Sequence, residues 1–90
     1  MTPFHLKELL KNVSTVKETS DRGFHVALSN GYNISIQWKE GNYCHANGST
    51  AEVAVWDKEG RWVKLGENDD VVGWQSASDI LDIMYKFVEK

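Results

Sequence analysis

The chain contains one cysteine, three histidines and four tryptophans, and any chemistry or recognition would start from these side chains. Cys44 is followed directly by His45. A thiolate nucleophile needs a base to take its proton and a third group to orient that base. Neighbouring residues of an extended chain point to opposite sides, so His45 is badly placed to serve Cys44. His25 would have to be folded against the thiol, and no spacing in the sequence requires that. A metal centre needs three or four converging ligands, usually from paired spacings such as Cys-x-x-Cys. Here Cys44, His5, His25 and His45 stand singly. The reading is an unreactive loop cysteine, no metal, no cofactor and no enzyme. No phosphate-cradling glycine loop, nucleophile elbow or His-Glu-x-x-His pattern is present.

Recognition is the better use of the remaining candidates. Trp56 and Trp62 flank the turn residues Asp57-Lys58-Glu59-Gly60. An indole pair on an open sheet face is a natural anchor for a protein partner, because aromatic anchors dominate binding energy. The bland alternative is a pair that only stabilises its own hairpin, or that Trp74 or a loop covers. Tyr43 and His45 lie in the long polar loop between Lys39 and Ser49 and join the candidate contact set. Glu67, Asp69 and Asp70 form an acidic cluster. It lacks the twelve-residue calcium pattern, and reads as a solvated loop or as a patch for a basic, nucleic-acid-binding protein.

These side chains must be positioned by two helices and two hairpins. Thr2 followed by Pro3 reads as a helix start, and Leu6, Leu9, Leu10 and Val13 recur at helical spacing over about Pro3 to Asn12. Residues Ser14 to Ser20 suit an edge strand or extended linker, and Asp21-Arg22-Gly23 a turn. Phe24, Val26 and Leu28 alternate with polar or small residues, as do Ile34, Ile36 and Trp38. A two-residue Asn30-Gly31 turn would set Val26 against Ser35. A three-residue loop, Ser29-Asn30-Gly31, sets Leu28 against Tyr32, Val26 against Ile34 and Phe24 against Ile36. Only the longer loop keeps one face apolar, and it needs Gly31 in the left-handed conformation.

The second hairpin follows the same rule. With Lys58-Glu59-Gly60 as its loop, Val55 meets Val63, Val53 meets Leu65, and Trp56 meets Trp62 on the other face. Val71-Val72-Gly73-Trp74 reads as a short apolar connector. Ser76 with Asp79 three residues on resembles a capping box, and Ile80, Ile83, Met84, Phe87 and Val88 form the apolar stripe of a closing helix over about Ala77 to Glu89. The expected fold is α+β: one domain, residues 1–90, with an antiparallel sheet of four to five strands. The N- and C-terminal helices pack on one face, in the order α-β-β-β-β-α.

Composition bounds the rest. Hydrophobic residues make up 41% of the 90, enough for one thin core. The net charge of −3 argues against a phosphate-tracking protein. Arg61 and Lys64 are offset in the same hairpin by Glu52, Asp57 and Glu59, so direct nucleic-acid binding is a minor reading. A single cysteine allows no internal disulfide. The N-terminal residues form no apolar run of the signal-peptide type, and no stretch reaches membrane-spanning length, from which a cytoplasmic location is expected.

The segments Glu52-Val53-Ala54-Val55-Trp56-Asp57, Gly60-Arg61-Trp62-Val63 and Asp69-Asp70-Val71-Val72-Gly73-Trp74 resemble small uncharacterised accessory proteins of tailed bacteriophages. The closing helix and the Asn30-Gly31 hairpin extend the likeness to the larger part of the chain. The shared motifs are fold motifs, so they carry no active-site residue. The resemblance implies an accessory protein made in an infected bacterial cell, of a kind that binds and modulates a host protein. The expected function is therefore a non-enzymatic protein-binding module. A homo-oligomeric structural protein, a possible homodimer, is the alternative, followed by a single-strand nucleic-acid binder.

Overall fold

Six strands between two helices build the molecule: α1 (Pro3–Lys11), β1 (Val13–Ser20), β2 (Gly23–Leu28), β3 (Asn33–Gln37), β4 (Ala51–Trp56), β5 (Trp62–Val63), β6 (Val71–Gln75) and α2 (Ala77–Val88). The computed structural model describes residues 3–20, 22–39, 44, 49–65 and 70–90. The expected cap Thr2 and turn residue Asp21 lie outside these, as do residues 40–43, 45–48 and 66–69 of the two polar loops.

Strands β1 to β5 pair in chain order, every pairing is antiparallel, and β6 joins β4. The alternation decides which side of each strand is buried. Val26, Ile34, Ile36, Val53 and Val55 are 2% exposed or less. Leu9 from α1 and Met84 and Phe87 from α2 close over them, so both helices cover one face. Each such side chain contributes about 1.5–3 kcal/mol relative to leaving it in water. Of the leucines at helical spacing in α1, Leu9 is buried, whereas Leu6 and Leu10 remain exposed.

The first hairpin has the register expected of a three-residue loop. Val26 faces Ile34 and Phe24 faces Ile36, Gly31 donates to the Leu28 carbonyl at 3.0 Å, and Gly31 sits at φ +98°. A side chain on Gly31 would also press on Lys58 Cβ in the neighbouring loop. This loop fastens both helices. The Ser29 backbone N–H donates to the Asn12 carbonyl just past α1, 2.8 Å, and the Asn30 side-chain Nδ2 donates to the Phe87 carbonyl at the end of α2, 2.7 Å. At the other end of α2 the capping box forms as expected. Asp79 N–H donates to Ser76 Oγ at 3.2 Å, and Ser76 N–H to Asp79 Oδ2 at 2.9 Å.

The second hairpin keeps its register only near its turn. Val55 faces Val63 and Trp56 faces Trp62, with Gly60 at φ +82°. Beyond that point β5 ends. Val53 does not meet Leu65 but Val72, because the segment expected to be a connector is a sixth strand that takes over the same edge of β4. The sheet thus exceeds the four to five strands expected. Val72 supplies the apolar contact that Leu65 was expected to make, and Leu65 still packs at the rim of the core. The β6 ladder is irregular. Ala51 faces Gln75 and Val53 faces Val72, so Gly73 and Trp74 together stand against Glu52. Trp74 adopts φ +51° there, a left-handed conformation disfavoured for bulky side chains.

Candidate functional site

Residues on the helix-free face follow from the registers. One row runs Lys17, His25, Ser35, Ala54 and Val71 across β1, β2, β3, β4 and β6. The next runs Ala27, Asn33, Trp56 and Trp62 across β2 to β5, and a third runs Gly23, Gln37 and Glu52. Gln37 folds across Gly23, leaving no room for a Cβ there, and donates to Thr19 Oγ1 at 2.9 Å and Ser35 Oγ at 3.3 Å.

The aromatic centre of this face is a chain of three rings. Trp56 and Trp62 lie 5.7 Å apart between ring centroids, tilted by 60°. His25 meets Trp56 edge-on at 4.9 Å and 77°. Such pairs contribute about 0.5–1.5 kcal/mol each beyond area burial. Trp56 is half-buried between its neighbours, whereas Trp62 remains 57% exposed. Together with Ser35 and Gly60, the three rings line a shallow depression of about 350 Å³. None of its lining residues is an acid, a lysine or an arginine.

The turn that presents Trp62 is held by Asp57. Its carboxylate accepts the Glu59 amide at 2.9 Å, the Arg61 amide at 3.0 Å and Arg61 Nε at 2.9 Å. The bond from the Arg61 amide, helped by the Glu59 amide and the Arg61 guanidinium, holds the Asp57 carboxyl below its ordinary value. Arg61 also pairs with Glu59. The two acids of this turn, Asp57 and Glu59, are therefore spent on their own loop. His25 behaves oppositely. Partial burial, and then the charge of Lys17 across the strand pair, lower its pKa below the ordinary 6.5.

The expected site residues divide as follows. Trp56 and Trp62 are brought together on the face the helices leave open. Trp74 does not stand beside them; its register puts it at the other end of β4, 56% exposed. Asp70 is exposed in the bend leading into β6 and makes no ion pair among the described residues. Tyr43, His45, Glu67 and Asp69 lie outside the described residues. Cys44 is half-buried, and its Sγ donates to the Lys39 carbonyl at 3.7 Å. Among the described residues no three His, Cys, Asp or Glu side chains converge as a ligand set. His25 and Ser35 were not foreseen as part of the depression. The signal was available, because both fall on the polar phase of their strands and face each other in the register that the first loop dictates.

A second concavity of about 460 Å³ lies on the covered side, between Phe24, Ile36, Trp38, Ala51 and the first turns of α2. Trp38 and Ser49, both in its lining, flank residues 39–48 in sequence, of which 40–43 and 45–48 lie outside the described residues. No helix is long and apolar enough to cross a membrane among the described residues. Comparison with family models, with curated proteins and with solved structures finds no match for this chain.

Proposed function

We propose that this chain is a non-enzymatic protein-binding module whose contact surface is the helix-free face of the sheet. The observation that carries the reading is Trp62. It is an indole more than half exposed, supported from behind by Trp56 and His25 and presented by a turn that Asp57 locks. A rigid indole loses little entropy on binding and brings a large area, which is why tryptophan is enriched at binding hot spots. The rings and small polar groups that converge here suit recognition. The resemblance to phage accessory proteins makes a bacterial host protein, in the cytoplasm, the first class of partner to test. Affinity capture from bacterial lysate with wild type and Trp62→Ala provides that test. The expected result is a partner recovered by the wild type and reduced at least about thirtyfold with the variant, as for a hot-spot residue of about 2 kcal/mol. Equal recovery by both proteins overturns the assignment.

A second copy of the chain is the competing partner, favoured by one observation. Val16 in the edge strand β1 is 62% exposed although it lies opposite the core residue Val26. Two register irregularities in β1 and the presence of Lys17 oppose strand-to-strand addition at that edge. Light scattering at high protein concentration separates the readings, since a strict monomer removes the second copy.

A further inference from the structure

We infer that the partner segment received by this face is an extended peptide that lays an apolar or aromatic side chain on the Trp56–Trp62 pair and sets an aspartate or glutamate beside Lys17 and His25. This deepens the proposed protein-binding reading and rests on it.

The charge pattern of the face carries the inference. Lys17 lies directly opposite His25 in the β1–β2 register, and its ammonium makes no ion pair or hydrogen bond among the described residues. Among the described acids, Asp57 and Glu59 are committed to Arg61, Glu18 is paired with Phe24 on the opposite phase of β1, and Glu52 lies in the third row, beyond Ser35 and Ala54 as seen from the tryptophans. The aromatic depression therefore has a cation on one flank with no ion-paired counter-charge among the described residues, and complementary potentials select partners of the opposite sign. Lys17 from β1 is the charged group facing His25. β3 presents Ser35 and β4 presents Trp56, neither of which titrates near neutrality. An anion placed there would gain a second cation as His25 takes up a proton.

Geometry adds a spacing. From Lys17 on β1 to Trp56 on β4 are three strand separations and one row along the strands, about 14 Å across and about 7 Å along, or about 16 Å in all, since neighbouring strands lie about 4.8 Å apart and a strand rises about 3.3 Å per residue. A peptide crossing the strands rises about 3.3 Å per residue. An acid and an apolar anchor four residues apart span about 13 Å and point to the same side, and the long Lys17 side chain covers the remaining few ångströms. Single-stranded nucleic acid would also offer planar groups and negative charge, but it needs several phosphate contacts to bind well, and this row supplies only one lysine.

The probe is a capped peptide of serines and threonines carrying one phenylalanine and, four residues before it, one aspartate. It is titrated into the full chain while the indole N–H signals of Trp56 and Trp62 are followed by NMR. The expected result is a saturable shift of both signals, weakened roughly tenfold by Lys17→Glu and equally by exchanging the peptide's aspartate for lysine. Lowering the pH from about 7.5 to below the ordinary imidazole range should tighten binding in the wild type and leave His25→Gln unchanged. If the lysine peptide binds as well as the aspartate peptide, or if Lys17→Glu changes nothing while Trp62→Ala abolishes the shift, the acidic partner is overturned and the aromatic contact face stands. No shift with either peptide overturns the inference while leaving lysate capture as the separate judge of the binding reading. Stronger competition by oligothymidylate than by the peptide reassigns the face to nucleic acid and overturns both.

Discussion

The two faces of the sheet are written in one alternating pattern and meet different ends. On the covered side the inward positions of β2, β3 and β4 are Val26, Ile34, Ile36, Val53 and Val55, all sealed beneath Leu9, Met84 and Phe87. On the open side the intervening positions are His25, Ser35, Ala54 and Trp56, with Trp62 beside them. The covered face uses branched aliphatic groups that fill volume and have no polar atoms to satisfy. The open face uses flat rings with polar edges, which tolerate water on one side. Stability and recognition are thus separated by a single residue of phase, and a substitution should disturb one with little effect on the other.

The largest effect expected is on the covered side. Ile34→Ala should cost about 3 kcal/mol in denaturant unfolding; a loss below 1 kcal/mol would mean that the core is not sealed as described. The two loop glycines sharpen the contrast. Gly31→Ala should cost about 2 kcal/mol, since it combines a positive φ with pressure on Lys58 in a loop that ties down both helices. Gly60→Ala has the same backbone problem but open space around it, and about 1 kcal/mol is expected. Equal losses would break the assignment of separate duties to the two turns. Trp62→Ala should lower stability by no more than about 1 kcal/mol, the worth of one aromatic pair, while removing the partner contact. The smallest effect is the acid dependence of His25. Its folded pKa is lowered, so its stabilising contribution is complete above the ordinary 6.5 and is lost as pH falls through the folded value. Unfolding curves across this window should show a slope in the wild type that His25→Gln removes.

Much of this architecture was readable in the residues themselves. Apolar alternation and the demand for one uniform face were enough to choose the three-residue loop at Gly31 and to place Trp62 across from Trp56. Ser76 and Asp79 announced the start of α2. The sixth strand was not readable, for a physical reason. Val71 and Val72 are followed by Gly73 and by Trp74 in a left-handed conformation, so the period of two is broken within the strand. Pattern alone also cannot choose between Leu65 and Val72 as the partner of Val53, since either keeps the face apolar. The tryptophan pair was legible, but its third ring was not, because the polar phase of β2 gives no sign that His25 leans against Trp56. Half-burial of Trp56 with exposure of Trp62 depends on that lean and on where β5 stops.

The brevity of β5 has a kinetic consequence. Apart from the Asp57–Arg61 bonds of the turn, only two residue pairs hold Trp62 to β4 before β6 takes over the edge. The tip carrying the exposed indole can therefore detach by local opening, at a small fraction of the free energy that opens β3 and β4. Its amides should exchange with solvent early, and those of Ile34 and Val53 last. A partner that clamps this tip would first have to quiet it, giving up some affinity to ordering and gaining a contact that releases quickly.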